Sequence, residues 1–191
     1  MRLETTLKRP VEASGIGLHS GAPVKIRMRP APAGVGIVFV RTDLDGFQVP
    51  ANWRCVARVS YATSLMNKGV LISTTEHLLS VFYSMGVDNA YVEIDNLELP
   101  IFDGSGLPYV ELIREAGLKT LRRERRYLLI RRPVGVCDGL RRIEILPADR
   151  LLLTCEVYFE HPLVGRQKLD LEITPERYAR EIAPARTFGF F

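Results

Sequence analysis

The sequence predicts an α+β fold built as a duplicated unit, and three observations support this prediction. Apolar and polar residues alternate over residues 24–29 and again over 90–95, which is the period of strands with one buried face. An apolar period typical of a helix runs over residues 74–85. The opening pattern Lys8-Arg9-Pro10-Val11 returns as Arg131-Arg132-Pro133-Val134, and a recurring pattern indicates a recurring unit.

The first copy begins with strands. In residues 24–29 three apolar side chains alternate with three basic ones, so one face of this strand is expected to be buried. Ala33-Gly34 is a turn pair, and residues 35–40 are expected to form the returning strand.

Two helices and a further strand complete the first copy. The helix over residues 74–85 is closed by Gly86, a residue that commonly ends helices. A strand over 90–95 follows it. A second helix is expected over 108–116, and Gly117 ends it.

These patterns divide the chain into a first α+β domain over 1–120, a basic connector over 121–132 and an incomplete second α+β domain over 133–191. The second copy reaches only one short helical stretch, over 175–182, where the first copy has two helices. The connector prediction rests on a run of basic residues with Tyr127 as the one aromatic neighbour. They are Lys119, Arg122, Arg123, Arg125, Arg126, Arg131 and Arg132.

Composition narrows the class of protein. With 47% hydrophobic and 25% charged residues the chain is typical of a globular protein, and no apolar run approaches the length of a membrane span. Cys55, Cys137 and Cys155 are widely spaced without a Cys-x-x-Cys pair, which argues against a disulfide framework and suits a reducing cytoplasm. The formal net charge of +4 favours anionic ligands without choosing among them.

The pair Glu76-His77 at the start of the first helix is the clearest candidate for chemistry. A metal held by His77 would have the Glu76 carboxylate close by, and metal-assisted hydrolysis needs a ligand, a base and an activated water. One imidazole cannot hold zinc, which takes three protein ligands in most catalytic sites. An alternative stays open at this point, because Ser73-x-x-Glu76 also matches a capping box that needs no metal.

Six motifs occur in an order that resembles the UDP-3-O-acyl-N-acetylglucosamine deacetylase family, the zinc enzymes of lipid A biosynthesis. The resemblance extends from about residue 4 to the last residue. The motifs are Gly15-Ile16-Gly17-Leu18-His19-Ser20-Gly21, Arg29-Pro30-Ala31-Pro32, Arg41-Thr42-Asp43-Leu44, Ser73-Thr74-Thr75-Glu76-His77-Leu78, Leu99-Pro100-Ile101-Phe102-Asp103-Gly104-Ser105 and Ala185-Arg186-Thr187-Phe188-Gly189-Phe190.

The resemblance implies a fold, a site and a reaction. The fold is two α+β sandwiches, of which the second is truncated in this chain. His77 would be a zinc ligand, and Glu76 the general base for the attacking water. Thr187 would donate a hydrogen bond to the oxyanion, and Phe188 would contact the sugar. The implied enzyme removes acetate from UDP-3-O-acyl-N-acetylglucosamine in the cytoplasm, with a transient contact with the inner membrane possible and no transmembrane segment.

The chain departs from the family pattern at the metal. The family supplies its other two zinc ligands from a later His-Lys-x-x-Asp motif, whose His and Asp share one helical face. Only His19 and His161 remain in this sequence, and neither belongs to such a motif. We therefore expect the other two ligands beyond Phe191, and an incomplete chain with little activity of its own.

Two functions of other classes stay open on the sequence. A non-catalytic fragment of the same fold would hold a nucleotide or a protein partner. An RNA-binding α+β domain is suggested by the sequence pI of 9.1 and the arginine cluster. The cluster lacks the interleaved aromatic residues on which bases stack, so we expect no nucleic-acid partner.

Overall fold

A computed structural model describes residues 2–188 of the chain, and for Arg58 only the backbone. Helices and strands occur together, which confirms the predicted α+β class. Contacts group the chain into two compact units. The first consists of Met1–Arg125 with Tyr178–Phe191, and the second of Arg126–Arg177.

The helices and strands of the described residues succeed one another along the chain as follows. They are β1 (Leu3–Leu7), β2 (Val11–Ile16), β3 (Pro23–Pro30), β4 (Ile37–Arg41), β5 (Phe47–Pro50), β6 (Val56–Arg58), β7 (Ser64–Asn67), β8 (Val70–Ile72), α1 (Glu76–Met85), β9 (Ala90–Ile94), α2 (Leu107–Ala116), β10 (Leu118–Glu124), β11 (Val134–Asp138), β12 (Arg141–Ile145), β13 (Leu152–Tyr158), β14 (Arg166–Glu172) and α3 (Pro175–Arg177). Short 3-10 turns lie at Thr42–Leu44 and Trp53–Cys55, and a π-helical turn at Tyr178–Ile182.

The main sheet of the first unit has five strands in the order β2-β3-β9-β4-β5. The predicted strand over 35–40 is confirmed as β4, which begins at Ile37, but its expected place as the returning partner of β3 is wrong. β9 lies between them, antiparallel to β3 and parallel to β4. The register pairs Phe39 with Val92, and both side chains are fully buried. Parallel pairs are stable where both faces are covered, which favours this central position.

The core of the first unit follows the predicted periodicities. The three apolar residues of β3 are buried, Lys25 and Arg27 are exposed and Arg29 is half-buried, so the strand has one buried face as the alternation predicts. α2 contacts both α1 and β2. The helices bury one face each, and these faces consist of Leu78, Val81 and Phe82 in α1 and Tyr109, Val110, Ile113 and Ala116 in α2.

The helix ends agree with the sequence signals, with one shift. α1 begins at Glu76 rather than at Thr74, and it stops at Gly86, whose φ of 79° is readily adopted only by glycine. α2 ends at Gly117 as predicted.

The first residues of the basic stretch predicted as a connector belong to β10, which pairs antiparallel with β1. Arg123 and Arg125 there form ion pairs with Glu4 and Asp88.

The second unit contains two antiparallel hairpins, β11–β12 and β13–β14, which are separate two-stranded sheets in the described residues. The predicted helical stretch over 175–182 is confirmed as α3 and the π-helical turn that continues it. The predicted domain ranges 1–120, 121–132 and 133–191 remain predictions.

Candidate active site

The first turn of α1 places Glu76 and His77 side by side, and both are half-buried. The backbone N–H of Thr63 donates to Glu76 Oε2 over 2.8 Å. Two further hydrogen bonds, from the N–H and hydroxyl of Thr75 to the Thr63 carbonyl, join the same two segments. In the described part of the chain neither Glu76 Oε1 nor the His77 imidazole has a hydrogen bond. One carboxylate oxygen is therefore anchored while the other, and the ring, are available to a ligand.

The capping-box alternative is wrong. Thr75 is the N-cap of α1 and makes no side-chain cap bond. The hydroxyl of Ser73 instead lies 3.2 Å from that of Ser64. The backbone of Ser73 is bonded through both its N–H and its carbonyl to another extended segment, so it lies outside the helix.

That segment, residues 97–101, forms backbone hydrogen bonds with two different parts of the chain, one on each side. The N–H of Ser73 donates to the Leu97 carbonyl over 2.7 Å, and the N–H of Leu99 donates to the Ser73 carbonyl over 3.1 Å. On the other side the N–H of Ile101 donates to the Ile16 carbonyl over 3.0 Å. The segment thus lies between the end of β2 and the residues that lead into α1.

Glu98, in the middle of this segment, is a buried carboxylate that the sequence motifs did not indicate. Its side chain is 1% exposed and its carboxylate accepts the N–H groups of His19 and Ser20 and the hydroxyl of Thr74, at 2.8–2.9 Å. Burial alone would raise the pKa of Glu98, but these hydrogen bonds outweigh it and hold the pKa below its ordinary value. The available signal was a lone carboxylate in the apolar run Leu97-Glu98-Leu99-Pro100.

A buried tyrosine reports on the surroundings of Glu76. Tyr109 in α2 is 1% exposed, and its hydroxyl donates to the Pro100 carbonyl over 2.6 Å. Burial, and to a smaller extent the negative charge of Glu76, raises the pKa of Tyr109. The phenol therefore remains a hydrogen-bond donor to Pro100 at pH values well above neutral.

Thr187 is held by the Asp103-Gly104-Ser105 turn of the first unit. The N–H of Thr187 donates to the Gly104 carbonyl over 2.8 Å, and Arg186 lies 3.4 Å from Asp103. Hydrogen bonds from Ser105 lower the pKa of Asp103 against the effect of burial, and Arg186 adds to this lowering. The Thr187 side chain is exposed, as is that of Phe188. Gly189 and Phe190 of the same motif lie outside the described residues.

A second anchor ties the Thr187 segment directly to α1. The hydroxyls of Tyr178 and Ser80 are 2.7 Å apart, and Tyr178 is 4% exposed. Between these two anchors the N–H of Gly106 donates to the Ala183 carbonyl over 2.8 Å. The helix that carries Glu76 and His77 and the loop that carries Thr187 are therefore parts of one compact unit. No pattern in the sequence indicated these contacts between residues 178–187 and the first unit.

The side chains of the candidate site could supply one ligand to a zinc ion but not a complete set of ligands. Among residues 2–188 no group of three His, Cys, Asp or Glu side chains is arranged to hold a metal ion. His77 is the candidate ligand, since its imidazole carries no competing hydrogen bond within this range. His161 belongs to the second unit and accepts an N–H from Leu163.

Comparison with known proteins shows which family the chain belongs to. The family model described as LpxC, UDP-3-O-acyl N-acetylglycosamine deacetylase, matches residues 4–191. The chain belongs to this family. Proteins named UDP-3-O-acyl-N-acetylglucosamine deacetylase are similar to it over almost its whole length. The protein of Solibacter usitatus is 70% identical over 190 residues, and that of Myxococcus xanthus is 44% identical over 188.

The deacetylase relatives are longer than this chain. The alignment covers 100% of the chain but 64% of the Solibacter usitatus protein, and 98% of the chain but 60% of the Myxococcus xanthus protein. The chain thus spans less than two thirds of the length of these relatives. In the described residues we find no helix with both the length and the apolarity to cross a membrane.

Proposed function

We propose that this chain carries the base, one metal ligand and the oxyanion donor of a zinc-dependent deacetylase that acts on UDP-3-O-acyl-N-acetylglucosamine, in the cytoplasm, as a step of lipid A biosynthesis. The supporting observation is the first turn of α1, where the anchored Glu76 carboxylate lies next to an imidazole without a hydrogen-bond partner among residues 2–188. Family membership and the names of the relatives support the substrate class.

Each residue of the proposed site has a separate task. His77 would hold the zinc ion, which when bound supplies a Lewis acid for amide hydrolysis. Glu76 would take a proton from the attacking water through Oε1, while Thr63 keeps its other oxygen in place. The hydroxyl of Thr187 would donate to the oxyanion, and the backbone bond to Gly104 would hold this residue in place. Phe188 would offer its exposed ring to the sugar.

Metal binding by the chain itself is the first test. The sequence contains three histidines, so imidazole labelling with ¹⁵N gives a spectrum in which each ring can be assigned. Zinc should shift the signals of His77, and His77→Ala should abolish the response. His161→Ala, which changes a histidine of the second unit, is the control. Binding should be weak enough for a chelator to strip the metal, and tightly held stoichiometric zinc would contradict our count of one ligand.

Catalysis is tested in a chimera that joins residues 1–191 to the part of the Solibacter usitatus relative that the chain does not cover. Glu76→Gln keeps an acceptor for Thr63 and removes the base, so turnover should fall by about 10²–10⁴-fold with the zinc content unchanged. Thr187→Val should lower kcat by about 10²–10³-fold, and Thr187→Ser should restore most of it. Full activity of the Glu76→Gln chimera would reduce Glu76 to a structural residue.

A further inference from the structure

Glu98 lies outside the residues to which the proposed function gives a task, and its contacts suggest one. Its carboxylate is among the most deeply buried polar groups of the first unit, at 1% exposure. It forms no ion pair within residues 2–188, so hydrogen bonds alone compensate its burial. Burying a carboxylate without a cation is costly, which requires these bonds to be well placed and held together.

One oxygen of Glu98 is shared by two parts of the chain. Oε1 accepts the N–H of His19 and the hydroxyl of Thr74, each over 2.9 Å. His19 N and Thr74 Oγ1 are therefore no more than about 6 Å apart. Oε2 accepts the N–H of Ser20 over 2.8 Å. The Glu98 side chain thus holds the Leu18–Ser20 turn in a fixed position relative to Thr74, which lies two residues before Glu76.

Thr74 has a backbone conformation that needs such support. Its φ is 59°, a left-handed value that is a true outlier for a β-branched residue. Backbone strain of this kind persists only where the surroundings hold it. Thr74 is 2% exposed, and its hydroxyl donates to Glu98, so this bond acts at the point where the chain turns into α1.

Gly17 shows how closely the turn approaches this carboxylate. A Cβ added at Gly17 would lie 2.5 Å from Glu98 Oε2 and against the Ser20 hydroxyl. Real Cβ atoms do not come so close to another heavy atom. The backbone at position 17 can therefore approach the carboxylate this closely only because the residue is glycine.

We propose that Glu98 is a positioning residue that locks the Leu18–Ser20 turn to the first turn of α1. Its importance for catalysis rests on the proposed function, because that turn of α1 carries Glu76 and His77. The lock itself is a property of this chain and is measured without metal or substrate.

The test compares Glu98→Gln with a matched variant, Glu4→Gln. Glu4 is also buried, at 7% exposure, and accepts the N–H of Gly34 and the amide of Asn89. In Glu98→Gln the side-chain NH₂ meets an N–H donor, so amide hydrogen exchange at His19 or Ser20 should become about tenfold faster or more. The imidazole signals of His19 and His77 should move, while those of His161 stay in place. Glu4→Gln should instead accelerate exchange at Gly34 and leave His19 and His77 unchanged.

Two results overturn the proposal. One is a Glu98→Gln chain with wild-type exchange at His19 and Ser20 and an unmoved His77 ring. The other is a Glu4→Gln chain that moves His77 as much as Glu98→Gln does, which would make the effect a general loss of stability. If Glu98→Gln does not fold, Thr74→Val and Thr74→Ser replace it. The valine variant should shift His77 and His19 and the serine variant should not, and two wild-type spectra would refute the lock.

The catalytic consequence has its own measurement. In the chimera with the Solibacter usitatus relative, Glu98→Gln should lower kcat by about tenfold or more with an unchanged zinc content, and Glu4→Gln should leave kcat at the wild-type value. An inactive wild-type chimera would count against the proposed function, whereas the exchange and imidazole data would still decide the lock.

Discussion

Replacing Tyr178 should release the segment that carries Thr187 while the rest of the first unit stays folded. Tyr178 is 4% exposed, and its hydroxyl lies 2.7 Å from that of Ser80 in α1. A further side-chain tie of the segment, Arg186 to Asp103, is an exposed pair worth at most about 1 kcal/mol. Tyr178 is therefore the main anchor.

The two truncations of this anchor have different magnitudes. Tyr178→Phe removes one hydrogen bond, worth about 1 kcal/mol, which corresponds to roughly fivefold in an opening equilibrium. Tyr178→Ala also removes a buried ring, and aromatic-to-alanine changes in cores cost about 3–5 kcal/mol. A loss of that size is comparable to what the two backbone bonds, the exposed ion pair and the small buried side chains of Ala179 and Ala183 can together supply, so the segment should detach.

Amide hydrogen exchange at Gly106 and Thr187 is the assay, because these N–H groups donate across the boundary between the segment and its support. Both should exchange about fivefold faster in Tyr178→Phe and approach the unprotected rate in Tyr178→Ala. Tyr83 in α1 is 70% exposed, so Tyr83→Ala is the matched control and should change neither. Exchange within about twofold of wild type in Tyr178→Ala would show that the backbone bonds alone hold the segment, and our reasoning would fail.

Further predictions concern pH, close packing and local stability. The folded-state pKa of Glu98 is lowered, so its contribution to stability is present above its ordinary pKa of 4.5 and is lost as the pH falls below that value. Urea unfolding at about pH 6, 4 and 3 should therefore show a shallower acid loss for Glu98→Gln than for wild type, and equal slopes would contradict the shift. Gly17→Ala should cost about 1–3 kcal/mol of unfolding free energy, because its Cβ overlaps Glu98; an unchanged urea midpoint would show that the turn has room. Amides of β11 and β12 should exchange much faster than those of β3 and β9, since a two-stranded hairpin has little stability of its own; equal protection would disprove this.

Local patterns were sufficient to predict most elements of the first unit. The alternation in β3 and β9 and the stop signals at Gly86 and Gly117 act within a few residues, and the structure confirms them. The order of strands was not predictable in this way. β9 enters between β3 and β4 from about fifty residues further along the chain, and no short-range signal encodes that choice.

The same distinction between local signals and long-range contacts applies to the candidate site. Glu76 and His77 are neighbours in sequence, so their adjacency on α1 was evident from the pattern alone. The contacts that position them come from distant segments: Thr63 lies 13 residues from Glu76, and Glu98 lies 24 residues from Thr74. The apolar neighbours of Glu98 were the one local signal of its burial, but the hydrogen-bond donors that make this burial stable come from distant residues.

The position of β9 explains how the two units can share a repeated pattern of hairpins and still differ in structure. In each copy a hairpin is followed by a second hairpin: β2–β3 and β4–β5 in the first unit, β11–β12 and β13–β14 in the second. In the first unit β9 joins the two hairpins into one sheet, and its buried residues complete the core. In the described part of the second unit no strand takes this place, and apolar residues such as Val136 and Ile143 are 65% and 70% exposed. The duplicated pattern is therefore carried by the hairpins, whereas the stability of the sheet depends on the strand between them.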